Sequence, residues 1–393
     1  MPAELFWDHS LAEYTHELDD PFLAASRLHD GPDILWARDA NFGQPGWILT
    51  RHALQQEAFM DHEHFSAERA NLAPLLGVSW RLNPLEFDPP VHRTYRQILN
   101  PFFSPRAVSS LDEAVRQACQ TLMTEFEGRD SCEFAHEFAT PFPSYVFLAL
   151  MGMPKVMLPQ FLEWENTLLR GTDNQKRVVA ARSILHYLEG FLAEQHKNPT
   201  TELMKGLLAA RIEDRPLDDG ELLGMIYLLY IGGLDTVYSA LGWIMRHLAG
   251  DPSLQQRLRA HPEDIPRAVD EFTRAFAVAA PHRKVTKDFI FHGVAMRKGD
   301  DVHMPTYLAT RDPREFENPH AVDLDRRTRH LGFATGPHLC LGVNLAKREI
   351  KTVLETVLAR FNNIRMSPGE TYEYHTGSVL GVDRLMLTWD RIC

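Results

Sequence analysis

Apolar positions recur with a helical period in four long stretches of the chain, 110–127, 179–195, 220–249 and 343–361. In the last of them Val343, Ala346, Ile350, Val353, Leu354, Val357, Leu358 and Phe361 share one helix face. The third is of another kind. From 222 to 245 it is apolar almost all round and holds one charged side chain, Asp235. By length it could span a bilayer. An ionisable residue at a bilayer centre costs about 2.5–3.5 kcal/mol, and the flanks lack a strong Lys/Arg asymmetry. The pattern therefore predicts a long helix buried through the middle of a large globular protein.

Composition narrows this picture. A chain of 393 residues, 44% of them hydrophobic, can bury a large core. It shows no Gly/Ser linker, no low-complexity run and no internal repeat, so one domain is expected over 1–393. A formal net charge of -12 argues against nucleic acid as a partner. Four cysteines, Cys119, Cys132, Cys340 and Cys393, have spacings that suit neither a disulfide framework nor a zinc site, and a reducing cytoplasm is expected. The first residues carry neither a basic region nor an apolar run, so neither a signal peptide nor a membrane anchor is expected.

Candidate chemistry gathers in a few short motifs. Cys340 lies in a glycine-flanked loop, Phe333-Ala334-Thr335-Gly336-Pro337-His338-Leu339-Cys340-Leu341-Gly342, just before a predicted helix N-terminus. Unpaired N–H groups and the helix dipole there favour a thiolate, the form that binds metal. Gly336 and Gly342 would let backbone pass close to a bulky flat ligand. Inside the long apolar helix, Gly232-Gly233-Leu234-Asp235-Thr236 places two helix-weakening glycines before an acid and an alcohol. Asp88-Pro89-Pro90 precedes a segment in which His92 and Arg96 lie four apart, on one helix face. Glu271 and Arg274 form an i, i+3 ion pair on another predicted helix.

These motifs, in this order, resemble the cytochrome P-450 (haem-thiolate monooxygenase) superfamily, in its soluble bacterial class I type. The cysteine loop fits the family's Phe, Gly, Cys, Gly spacing; Ala334 stands where members often carry a further glycine. The match runs from about Phe65 to Trp389. Segments 290–294 and 377–382 look most like the camphor-hydroxylase branch. The resemblance implies a mainly α fold, a large helical domain with small β-sheets and a long central oxygen-binding helix; the helical periodicity agrees. It implies haem b with the Cys340 thiolate on its iron. His92, Arg96, Arg283 and His338 would hold the propionates, with Phe333, Gly336 and Gly342 around the ring and Gly232 and Gly233 leaving room for dioxygen. Asp235 and Thr236 would deliver the protons needed to cleave it. Arg326 would join Glu271 and Arg274 to brace the cysteine loop.

The same resemblance implies a hydroxylase of a small apolar substrate, a terpenoid, norisoprenoid or aromatic compound. The loop 69–87 would cap the pocket, with Trp80 and Leu82 on it. Leu228 and Ile231, sharing a face with Asp235, would form an aliphatic wall with Val278, Ala279 and Val379. No fused reductase is expected, and electrons are expected from an iron–sulfur ferredoxin with its NAD(P)H-dependent reductase. That partner would dock on a basic patch of Arg93, Arg96, Lys347 and Arg348. Nothing demands more than a monomer. A peroxide-driven enzyme of the same fold and a haem-binding sensor are the alternatives; the Asp235–Thr236 pair argues against both.

Overall fold

The computed structural model describes residues 2–41, 43–68, 72–171, 173–327 and 329–391. Helices dominate it, and the 32-residue helix Asp219–Gly250 is its axis. That helix is about 48 Å long at the ordinary rise per residue. Its start is fixed by a capping box: Glu221 N–H donates to Asp218 Oδ1 at 2.8 Å, and Asp218 N–H donates to Glu221 Oε2 at 2.9 Å. Tyr227 and Tyr230, on one face, and Trp243, on another, are all fully buried. It is long and apolar enough to cross a membrane, but 67% of its most apolar window is buried inside the protein. This is the central helix that the pattern predicts.

The other predicted helices are found as Asp112–Thr124, Asn174–Lys197 and Val343–Arg360. The second begins five residues ahead of its apolar pattern. Its first turn, Asn174 to Arg177, is polar, and Asp173 caps it by accepting the N–H groups of Gln175 and Lys176. Phe361 leaves the last helix and opens the strand Phe361–Met366, where it is still buried against Trp389.

Sheets are small and lie to the side. The largest has six strands in the order Phe6–Ser10, Ile34–Asn41, Gln44–Leu49, Asp301–His303, His282–Val285 and Phe65–Ser66. A second joins Phe361–Met366, Met386–Arg391 and Ser131–Glu133. Two pairings matter for the site. Arg283 sits opposite Val302 in an antiparallel ladder, which fixes it on a rigid strand. Residues 278–280 pair with 378–380, through Leu380 N–H to Val278 O and Ala280 N–H to Ser378 O, both 2.9 Å.

Candidate active site

The cysteine loop is held by its own backbone. Cys340 N–H donates to Phe333 O at 3.0 Å and Leu339 N–H to Gly336 O at 3.1 Å. Gly336 has φ +72°, and a Cβ there would lie 2.7 Å from Met60 Sδ and 2.9 Å from Phe59 O. A close approach to the helix His52–Met60 thus demands glycine at this position. Ala334 also adopts a positive φ, +56°. A Cβ is disfavoured there by about 1 kcal/mol. Ala334→Gly should therefore raise stability by up to about 1 kcal/mol in urea unfolding; a destabilised variant would show that the alanine methyl packs better than it strains.

The Cys340 thiol corrects one expectation. Burial pushes its pKa up, and the Gly342 N–H and the Arg96 charge only partly oppose this. A helix N-terminus does not make it a thiolate in the protein alone; a bound metal ion would have to displace the proton. No group of three or more His, Cys, Asp or Glu side chains suited to a metal occurs among the described residues. Cys340 is thus suited to a metal whose other ligands come from its own cofactor.

Across from Cys340 stands the long helix. Gly232, Gly233, Thr236 and Cys340 all line one cavity of about 370 Å³. A Cβ on Gly232 would meet nothing within 4 Å, and one on Gly233 only Phe147 at 3.8 Å. The helix is unbroken through both. The Thr236 hydroxyl bonds loosely to Gly232 O at 3.4 Å. Asp235 is buried on the same helix but does not line the cavity.

At one edge of the cavity the polar residues meet. His92, Arg96 and His338 line it, and the His92 and His338 rings lie 4.1 Å apart. Arg283 is buried beside them, its guanidinium bonded to its neighbour's carbonyl, His282 O, at 2.9 Å. Burial pushes its pKa down to about 10, against the pull of Asp88. Arg96 Nη2 donates to Leu339 O at 2.6 Å. Burial, then the neighbouring arginines, holds His92 down at about 4 and His338 at about 2. Nε2 of each histidine is buried without a hydrogen bond. Two arginines and two such histidines without a carboxylate bonded to them fit an anionic group.

The brace forms as expected. Arg274 donates to both Glu271 oxygens, at 2.7 and 2.8 Å, and Arg326 Nε donates to Glu271 Oε1 at 3.1 Å.

The apolar wall is only partly as expected. Leu228, Val278 and Ala279 line the cavity; Trp80, Leu82, Ile231 and Val379 do not. The strap 80–83 lies tight on the first turns of the long helix. Trp80 packs on Gly220 and Tyr227, Arg81 O would collide with any Cβ on Gly224, and Asn83 Nδ2 donates to Glu221 O at 3.1 Å. Pro84 and Leu85 reach the cavity instead. Arg69, at the start of that loop, lies outside the described residues. Val379 pairs by its backbone with Ala279 and packs into the core. Sequence reasoning missed Phe147, Leu150 and Leu229. The first two stand on Pro141–Met151, a helix apolar on nearly every face, where periodicity carries no signal.

The basic patch is weaker than expected. Lys347 pairs with Asp270 at 2.5 Å and Arg348 with Asp112 at 3.2 Å. Arg93 is exposed and makes no ion pair among the described residues.

Comparison with known proteins accords with this geometry. A thiol facing a glycine-opened helix across an apolar cavity, with cations at the rim, is the layout of a haem-thiolate oxygenase. The chain belongs to the cytochrome P450 family, whose model matches residues 147–275 and 265–380. It is 37% identical to "Probable cytochrome P450 127A1" of Sinorhizobium fredii, over 94% of this chain and 90% of that protein. It is 28% identical to a vitamin D3 dihydroxylase of Streptomyces griseolus, over 93% of each chain. The crystal structure of cytochrome P450 CYP101C1 superposes with a TM-score of 0.90 at 29% identity, over 99% of this chain and 98% of that one. That of CYP101J2 gives 0.89 at 27%, over 99% of both. The protein is a monooxygenase of this fold and uses haem b.

Proposed function

We propose that this enzyme hydroxylates a small apolar substrate, a terpenoid, norisoprenoid or aromatic compound, with dioxygen and with electrons from a ferredoxin and its NAD(P)H-dependent reductase. One observation carries the reading: Cys340 and Gly232, Gly233 and Thr236 line the same, largely apolar cavity. A single domain, a monomer and a cytoplasmic location complete it.

When bound, haem supplies a redox-active iron that activates dioxygen. The residues around it have separate tasks. Cys340 would ligate the iron as thiolate, and Phe333 and Gly342 stand with it on the cavity wall. His92, Arg96, Arg283 and His338 hold the propionates, which would satisfy the two buried histidine Nε2 atoms. Gly232 and Gly233 keep side chains out of the cavity beside Thr236, which would leave room for dioxygen. Thr236, on the cavity, presents a hydroxyl that can pass a proton, and buried Asp235 stands one residue back as the acid that resupplies it. Leu228, Val278 and Ala279, with Leu85, Phe147 and Leu229, exclude water and orient an apolar substrate.

The test is the absorption spectrum of the dithionite-reduced, haem-loaded protein under carbon monoxide. A Soret band at about 450 nm is expected for thiolate ligation. A protein that takes up no haem, or one with its band at about 420 nm in every preparation, overturns the assignment of Cys340.

The partner surface is tested through Arg93. Arg93 is exposed on the helix Val91–Leu99, one turn before Arg96, whose guanidinium bonds the carbonyl of Leu339 beside Cys340; this supports Arg93 as part of the docking surface. An acidic ferredoxin is steered by unpaired charge, and steering is worth about tenfold or more in association rate. Arg93→Glu should slow reduction by a bacterial ferredoxin by about tenfold at low salt, with the difference fading at high salt. Equal reduction rates at low salt would count against this surface. Lys347 and Arg348 make poorer probes, because their reversal would break ion pairs.

A further inference from the structure

Glu349 is a buried carboxyl for which the reading above has no task. It lies on Val343–Arg360, nine positions after the cysteine, and is 2% exposed. It lines the same cavity as Cys340 and Thr236. Its carboxyl makes no hydrogen bond or ion pair among the described residues, and burial alone pushes its pKa well above the carboxylate range. Its nearest companions on the cavity are Leu345, Ala346 and Ile350 of its own helix, and Val237 and Ala240 of the long helix, all apolar. It sits in the second turn, beyond the reach of the helix N-terminal dipole.

Charges on the elements packed around this helix are engaged elsewhere. Asp112 pairs with Arg348 and Glu113 with Arg116. Asp270 pairs with Lys347, and Glu271 with Arg274 and Arg326. Arg259 donates to the carbonyls of Leu358 and Phe361. The Cys119 thiol bonds the Thr356 side chain. The His247 ring packs on Phe272 and Phe276. Arg257 and Arg267 pair with Asp264, Arg246 with Asp20, and Lys351 with Glu355; Arg106, on Pro105–Ser109, and buried Asp235, on the long helix, are the other charged groups nearby. None of these groups bonds or pairs with the Glu349 carboxyl, on which burial is the one influence.

A charge added to this cavity therefore acts on Glu349 as well as on the groups at the cavity rim, His92, Arg96 and His338 with Arg283 beside them, and of all these only Glu349 is a carboxyl. We propose that Glu349 takes up one proton when the cofactor iron gains one electron, in the pH range where its carboxyl is ionised in the oxidised protein. This rests on the haem-thiolate reading. The balance is simple: one electron from the external donor enters the iron site, and one proton from solvent forms an O–H bond on the Glu349 carboxylate. Like charges in a dry site raise each other's proton affinity. Coupling is reciprocal, so an ionised Glu349 lowers the reduction potential, and protonating it restores the potential. Glu349 would thus be a positioning residue that sets the iron's potential by its charge.

The experiment is spectroelectrochemical titration of haem-loaded wild type, Glu349→Gln and Glu349→Asp across the neutral and alkaline range. Wild type should show a segment in which the potential falls with pH, approaching about 59 mV per tenfold change in proton activity for one proton per electron. Glu349→Gln should lose that segment and keep the higher potential; Glu349→Asp should retain it. The propionates contribute equally to all three. Superimposable wild-type and Gln curves overturn the proposal. Should Glu349→Gln fail to bind haem, the reduced-minus-oxidised infrared difference spectrum decides. A protonated-carboxyl band gained at alkaline pH, shifted in D2O and moved by Glu349→Asp, supports the proposal; its absence overturns it. A protein without haem overturns both readings, whereas a thiolate-type carbonyl spectrum with superimposable titrations overturns this one alone.

Discussion

Glu271→Ala is expected to lower the unfolding free energy by about 3–5 kcal/mol, the usual cost of removing one partner from a buried ion pair. The geometry explains why the loss falls at the upper end. Arg274 is 1% exposed, and its guanidinium is otherwise bonded to neutral carbonyls, Thr310 O, Pro319 O and Ala321 O, at 2.8 to 2.9 Å. Arg326 is nearly as buried, and its remaining bonds are to Glu317 O and Asn318 O. Glu271 also accepts the Asp323 N–H at 2.9 Å. Its removal leaves two guanidinium charges out of water with no anion and frees one backbone donor. Glu271→Gln keeps the shape and an acceptor but not the charge, so it should lose less. Because this cluster ties the helix Ile265–Ala275 to the segment that leads into the cysteine loop, haem retention should fall in parallel. Urea unfolding of both variants is the measurement. A loss under about 1 kcal/mol for the alanine variant would mean that the carbonyls alone satisfy the arginines.

The Glu271–Arg274 pair was legible in the sequence because its spacing is local, and Arg326 was reached only through the family resemblance. The long helix was legible because a run with one charge over its whole length has few soluble solutions. Positions facing the cavity were harder. A helix advances about 100° per residue, so a face read from periodicity is uncertain by one neighbour. That is the error that put Ile231 on the cavity wall and passed over Leu229. Trp80 and Leu82 were misplaced for a tertiary reason: Gly220 and Gly224 let the strap 80–83 settle on the long helix, and no pattern within the strap announces this. Charge patterning shows where cations lie along the chain but not what they meet. Asp270 and Asp112, far away in sequence, neutralise Lys347 and Arg348. At the Cys340 thiol the helix dipole, which acts over one turn, is a small effect beside desolvation.

Asp235→Asn should slow product formation by about 10²-fold or more, the usual contribution of a positioned acid, while leaving substrate binding intact. Asparagine has the shape of the carboxyl but no proton to give, and Asp235 lies off the cavity wall, so a substrate resting on Leu228, Val278 and Ala279 does not meet the change. Thr236→Ala acts one step nearer. It removes a hydroxyl that faces the cavity, and its loosest tie, to Gly232 O at 3.4 Å, leaves that hydroxyl free to turn toward a ligand. Without it, electrons should still be drawn from the donor, but the yield of hydroxylated product per NAD(P)H consumed should fall about tenfold or more. The two variants thus separate supply from delivery: the acid variant lowers the rate, the alcohol variant the yield. Both are read with a substrate found by spectral titration of the haem protein, measuring NAD(P)H consumption and product together, and repeating the assay in D2O. A larger solvent isotope effect in Asp235→Asn is expected, because proton transfer then limits turnover. An Asn variant that turns over within about twofold of wild type would remove Asp235 from the proton route and leave Thr236 to be supplied through solvent in the cavity.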